Sequence, residues 1–187
     1  RLREREGWPS VDAIAITHFH LDHWGDLVPW VWGAMYRAGG VAIHDRPDLW
    51  VHAGGRWVLE EFGERFGFRD MFDRVFTVRE YGPEQPFTAA GIEVTPLRLP
   101  HYTLETYGFR LSAGGKTIAY SGDSGPSERL IELARDTDLF VCEALEIITL
   151  AAREHGGRQL VHLGRRHDEL DVRRRLFEGF QQCVERR

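Results

Sequence analysis

Lysine is almost missing from this chain: Lys116 stands alone among 24 basic residues, and the rest are arginine. That leaves almost no group for Schiff-base chemistry, and the skew fits a GC-rich coding genome. Cysteine is scarce as well. Cys142 and Cys183 are too few for a disulfide framework and fit a reducing cytoplasm. Long apolar runs are also lacking; stretches such as Leu139 to Cys142 are strand-sized, so no membrane span is expected. Positive charge is not in excess, and a net charge of -5 argues against a broad nucleic-acid surface, leaving room only for a local basic patch. There is no initiator methionine and no signal-peptide pattern: the chain opens on Arg1, in what reads as mid-helix, and closes that helix at Gly7. The expectation is a fragment or processed form.

What is present is 187 residues, 42% of them hydrophobic, which suffices for one domain with a real core but not comfortably for two. Val11 to Thr17 reads as a strand running straight into a histidine-rich loop. Leu27 to Arg37 has helical spacing and ends at Gly39-Gly40. Val41 to His44 and Leu49 to His52 read as short strands around the turn Asp45-Arg46-Pro47-Asp48. Arg56 to Phe66 reads as a helix with Trp57, Leu59, Phe62 and Phe66 toward the core. Strands are expected over Arg74 to Glu80, Ile92 to Leu99, Tyr107 to Ser112 and Thr117 to Ser121, with Gly114-Gly115 as a hairpin turn. A helix from Ser127 to Arg135 presents Leu130, Leu133 and Ala134 on one face. Leu139 to Cys142 reads as a buried strand, then a helical stretch to about His155, a short strand at Arg158 to Val161, and a helix from Asp168 to Arg187. Strands alternating with helices predict a layered α/β protein.

The chemistry concentrates in His18-x-His20-x-Asp22-His23, directly behind the first strand. Imidazole nitrogen suits Zn(II), and a carboxylate adds charge and a further donor. Four donors in so short a run behind an apolar strand are a far more specific signal than a histidine pair in a loop. His18 and His20, two apart, can serve one metal while Asp22 and His23 turn to another.

At this motif the chain resembles the metallo-β-lactamase superfamily, most clearly over Val11 to Leu145. The resemblance implies an α/β fold of four layers, an αββα sandwich with one or two metals at the edge of its sheets, and a single domain over residues 1–187. It next asks for a histidine at a strand end, well downstream of the first motif, which Leu99-Pro100-His101 supplies. It then asks for an aspartate or cysteine in a glycine-flanked turn, which Ser121-Gly122-Asp123-Ser124-Gly125 supplies. By resemblance, His18, His20 and His101 hold the first metal, Asp22 and His23 hold the second, and Asp123 bridges the two. Two Zn2+ per chain are implied, with Mn2+ or Fe2+ as alternatives. A bridging water with its pKa lowered to about 7 would give hydroxide at neutral pH, and Asp22 is placed to orient it.

Two features depart from that pattern. The superfamily carries a substantial N-terminal segment of strands before its first histidine motif, so those strands are expected to be missing here, with an exposed sheet edge as the result. The last ligand is ambiguous. His162, in Leu160-Val161-His162-Leu163 well beyond Asp123, is the best candidate. A rival alignment makes it the non-ligand catalytic histidine instead, and His167 is the reserve. The strand residues Leu160 and Val161 favour the ligand reading. His44, His52 and His155 read as structural, Arg173-Arg174-Arg175 as a solvated helix face, and Trp24, Trp30 and Trp32 as core, with Trp24 a candidate for the cleft.

Asp138-Leu139-Phe140-Val141-Cys142-Glu143-Ala144 resembles the ribonuclease Z and cyclic-phosphodiesterase branch, as does Tyr107-Gly108-Phe109-Arg110. That makes Glu143 a candidate catalytic or metal-supporting carboxylate. The expected activity is a two-zinc phosphodiesterase that uses a metal-bridging hydroxide on a small-molecule or nucleotide phosphodiester, without membrane partners and with a homodimer admitted. Arg98 and Arg110 flank the site in sequence and could meet phosphate. Hydrolysis of a lactone, thioester or β-lactam, a mononuclear iron oxygenase, and a non-catalytic remnant stay open at this point.

Overall fold

The computed structural model describes residues 11–36, 46–143 and 159–163. It divides into two compact units, Arg1–Gly82 and Pro83–Arg187.

The first unit is built on a parallel sheet in the order β1-β2-β3: β1 (Ala13–Ala15), β2 (Asp48–His52) and β3 (Thr77–Tyr81). Parallel neighbours need crossovers. A one-turn helix α1 (Leu21–Trp24) and α2 (Leu27–Met35) lie between β1 and β2 in the chain, and α3 (Gly55–Glu64) lies between β2 and β3. On the central strand, Leu49 and Val51 are fully buried while Asp48, Trp50 and His52 are half-buried, the alternation a pleated strand imposes. Those two residues join one core with Leu27, Val31 and Ala34 of α2, Leu59 of α3, and Phe72 and Phe76. Each fully buried Leu, Val or Phe is worth about 1.5–3 kcal/mol. The Tyr81 hydroxyl donates to the Ile16 carbonyl at 2.6 Å, which ties the end of β3 to the chain just before His18.

Two expectations for this unit need correction. Trp57 and Phe66 do not face the core; they are 63% and 57% exposed, whereas Leu59 is buried. Trp57 lies two residues from Leu59, about 200° around a helix, and Phe66 falls beyond α3 in the turn where Gly67 takes φ 75°. The strand expected from Arg74 begins only at Thr77, because Val75 and Phe76 both donate to the Phe72 carbonyl in a turn (3.0 and 2.8 Å). The expected strand Val41 to His44 and the Gly39-Gly40 cap lie outside the described residues.

The second unit is a six-stranded sheet in chain order: β4 (Phe87–Ala89), β5 (Ile92–His101), β6 (Leu104–Ala113), β7 (Lys116–Tyr120), β8 (Leu139–Glu143) and β9 (Gln159–Leu163). Pairing is antiparallel from β4 to β7 and parallel from β7 to β9. Gly114 and Gly115 take φ 57° and 72°, the two positive values a tight hairpin turn requires. Helix α4 (Glu128–Ala134) buries Leu130 and Leu133 against Leu97, Leu99 and Ala119. It can lie that close because position 108 is glycine: a Cβ there would stand 2.4 Å from Leu133 and 2.8 Å from Leu99. The strand read as buried, Leu139 to Cys142, is half-buried, with Phe140 packed against the cluster of Leu130 and Leu133. The short strand β4 and the first residues of β6, before Tyr107, carried no sequence signal strong enough to be expected. The helical stretches expected before His155 and after Asp168 lie outside the described residues. Among the described residues, no helix is long and apolar enough to cross a membrane.

Candidate metal centre

In the first unit the ladder runs one step past β1, where the Ile16 amide donates to the Trp50 carbonyl at 2.9 Å. The chain then leaves the sheet at Thr17 and His18. His20 is extended and precedes α1, with Asp22 in that helix's first turn and His23 in its last. His18 is fully buried. Its Nδ1 lies 3.0 Å from the Thr17 hydroxyl, and its Nε2 lies 3.1 Å from His20 Nδ1. The His23 ring sits 4.1 Å from that of His18, centroid to centroid. Asp22 approaches His23 Nε2 at 3.7 Å, but its side chain is 80% exposed. The loop is anchored from below: the Trp24 indole N–H donates to the Phe19 carbonyl at 3.2 Å, and the buried ring packs edge-on against Phe62. Trp24 is therefore a core residue rather than a cleft wall. Gly55 makes room for the loop, since a Cβ there would stand 2.9 Å from Phe19 and 2.7 Å from Val51.

In the second unit His101 ends β5 and Asp123 follows β7 through Gly122, which takes φ 57°. The Asp123 loop is fastened to the strand of His101, because the Gly125 amide donates to the Pro100 carbonyl at 2.7 Å. His101 Nε2 and Asp123 Oδ2 lie 3.5 Å apart. Strand register extends this edge. Tyr120 pairs with Val141, Val141 with Val161, and Cys142 with His162. Phe109 pairs with both Tyr120 and Pro96. The backbones of His101, Asp123, Glu143 and His162 therefore all lie beyond one line across the sheet, at the C-terminal ends of β5, β7, β8 and β9. The side chains of Glu143 and His162 lie outside the described residues, as do His44, His155, His167 and Arg173 to Arg175.

Among the described residues, His18 and His20 of the first unit and His101 and Asp123 of the second offer donor atoms that could hold a metal ion. Two ligands of one tetrahedral zinc, each about 2.0–2.1 Å from it, stand about 3.3 Å apart. The within-unit spacings of 3.1 and 3.5 Å bracket that value. A hydrogen bond would suit them too, so the geometry admits a metal without requiring one. Thr17 was not singled out from sequence, although a hydroxyl directly before a strand-end histidine is a readable signal. With His18 Nδ1 hydrogen-bonded to it, Nε2 is the nitrogen turned toward His20.

The arginines expected near the site divide. Arg110 donates to the carbonyls of Leu133 (3.4 Å), Arg135 (2.5 Å) and Asp136 (3.3 Å), capping the C-terminal end of α4. Arg98 is exposed on β5. Tyr107, fully buried on β6, donates to Glu105 at 2.5 Å. Burial, and then that hydrogen bond, hold its hydroxyl protonated well above the ordinary tyrosine range. His52, read as structural, packs edge-on against Phe19, and its Nδ1 lies 2.9 Å from the Ala53 carbonyl.

Comparison with known proteins places this geometry. A family model described as the beta-lactamase superfamily domain matches residues 1–177. An uncharacterized protein of Mycobacterium tuberculosis is 32% identical over 146 residues, covering 75% of this chain and 51% of that protein. The probable metallo-hydrolase YhfI of Bacillus subtilis is 26% identical over 135 residues, covering 72% of this chain and 51% of YhfI. Its crystal structure, described as a metallo-beta-lactamase fold protein, matches with a TM-score of 0.57 at 22% identity, over 71% of this chain and 49% of that one. Ribonuclease Z of Mycobacterium bovis BCG is 24% identical over 145 residues, covering 72% of this chain and 52% of the enzyme. The chain spans about half the length of the curated relatives it matches. On its sequence match and its fold, the chain belongs to the beta-lactamase superfamily of metallo-β-lactamase-fold proteins.

Proposed function

We propose that this chain is the metal-binding part of a metal-dependent hydrolase that cleaves phosphodiesters with two zinc ions. The two donor sets serve one centre in this reading. His18, His20 and His101 would hold the first ion and Asp22, His23 and His162 the second, with Asp123 serving both. The observation that carries the reading is the opposed nitrogen pair of His18 and His20, 3.1 Å apart on a buried, hydroxyl-fixed imidazole. When bound, the zinc ions supply Lewis acidity and lower the pKa of a coordinated water to about 7.

The protein's own groups do the rest. Thr17 holds the His18 ring in place through Nδ1. Asp22, with its carboxylate exposed, would orient the attacking water, and Glu143, at the end of β8, would support the second ion. Phosphodiesters rather than acyl substrates are favoured by the likeness to ribonuclease Z and by the Asp138 to Ala144 segment. A cytoplasmic location is part of the same reading.

Elemental analysis of the purified chain should find close to two divalent metals, or recover two after zinc addition. Bis-p-nitrophenyl phosphate and cyclic nucleotides should then be cleaved faster than lactones or nitrocefin. No bound metal under either condition would overturn the centre. A clear preference for an acyl substrate would overturn the phosphodiesterase assignment alone.

A further inference from the structure

We infer that Tyr102 is a substrate-binding residue whose ring stacks on a flat heterocyclic or aryl group carried by the phosphodiester. The inference rests on the phosphodiesterase reading above and names the class of diester within it.

Three observations converge on this side chain. It directly follows His101 in the tight turn between β5 and β6, where His101 pairs with Leu104. Its backbone sits at φ 46°, in the left-handed region that suits glycine and that a bulky L-residue enters only at a cost. Its side chain is 89% exposed, the most open of the large hydrophobic side chains among the described residues.

At 89% exposure this tyrosine buries almost no apolar area, and glycine would suit the turn better. Strain of this kind points to a use at the site. The ring lies 4.8 Å from the His101 ring, inclined at 56°, so it stands beside a candidate ligand and stays largely open to solvent. The Asp123 loop is fastened to the same strand through the Pro100 carbonyl, which puts the second candidate ligand of this unit close by. An uncharged π-face at that position suits the organic arm of a diester rather than its anionic phosphorus. A base-like ring is the partner such a face holds best.

The test uses two diesters with the same leaving group, thymidine 5′-(p-nitrophenyl phosphate) and methyl p-nitrophenyl phosphate, on the zinc-loaded full chain. The wild type should prefer the nucleoside diester. Tyr102→Ala should cut that preference roughly tenfold, mainly through KM. Tyr102→Phe should keep it. Tyr102→Gly should lose it like the alanine variant, while melting no lower than wild type because the turn strain is relieved. An unchanged preference in Tyr102→Ala overturns the inference. Equal losses on both diesters in kcat, with metal lost, also overturn it, since Tyr102 would then only position His101. A wild type that cleaves neither diester overturns the phosphodiesterase reading and this inference with it; cleavage of both without a Tyr102 effect overturns the inference alone.

Discussion

The two units offer their candidate ligands in opposite ways. The first presents His18, His20, Asp22 and His23 within one short loop, buried on one side by an aromatic core. The second brings the backbones of His101, Asp123, Glu143 and His162, distant in the chain, to one sheet edge by strand register and, for Asp123, by the hydrogen bond between Gly125 and Pro100. A local loop is fixed by what lies beneath it and next to it. A register-built edge is fixed by the whole sheet. The first should therefore fail through single side chains, and the second through packing.

The largest effect is expected at His18, the one fully buried donor of the loop. His18→Ala should lower metal content and reduce activity by more than the roughly 10–100-fold typical of losing an outer partner of a ligand. Metal analysis and kcat/KM on a phosphodiester check this together. Retention of full metal content would break the idea that the loop is the first unit's metal-binding element.

Next is Thr17, which separates the ligand from its support. Thr17→Val keeps the shape but removes the hydroxyl 3.0 Å from His18 Nδ1. Zinc affinity, measured by competition with a chelator, should fall about 10–100-fold, whereas Thr17→Ser should retain it. Unchanged affinity in the valine variant would mean that burial alone orients His18.

The contrast between units also decides what could be read from sequence. The loop motif was legible because its donors are neighbours in the chain and follow an apolar strand. So were the Gly114-Gly115 hairpin and the α4 face of Leu130, Leu133 and Ala134, whose signals are equally local. Trp57 and Phe66 were misjudged because residue type was weighed above helical angle, and both proved exposed. Arg110 could not be assigned at all, because its partners lie at the far end of α4, distant in the chain. That contact exists only once β6 and α4 are packed. Tyr102 passed unnoticed for a related reason: a positive φ is a property of the folded chain.

The packing of the second unit is tested at Gly108. A methyl group there would meet Leu133 at 2.4 Å and Leu99 at 2.8 Å, so α4 must lift from the sheet or the strands must shift. Overpacking of this kind costs about 1–3 kcal/mol. Gly108→Ala should lower the thermal midpoint by several degrees, and activity should fall with it as the edge carrying His101 and Asp123 loosens. An unchanged midpoint would show that α4 gives way without cost, and that the register-built edge is less dependent on packing than its design implies.

The smallest effect is expected at Arg110, and it bears directly on how phosphate is met. Its guanidinium is already engaged with the carbonyls of Leu133, Arg135 and Asp136, at the end of α4 where the helix itself supplies no further N–H donors. Arg110→Gln keeps some donor capacity but loses the fork and the charge. Bonds from a charged donor to carbonyls at a half-buried position contribute modestly, so the loss should be about 1 kcal/mol of stability. Turnover of a phosphodiester should stay at the wild-type level in kcat and in KM. A KM raised tenfold with an unchanged thermal midpoint would reverse this assignment: Arg110 would then leave the helix to meet phosphate, and the sequence expectation that grouped it with Arg98 would be restored.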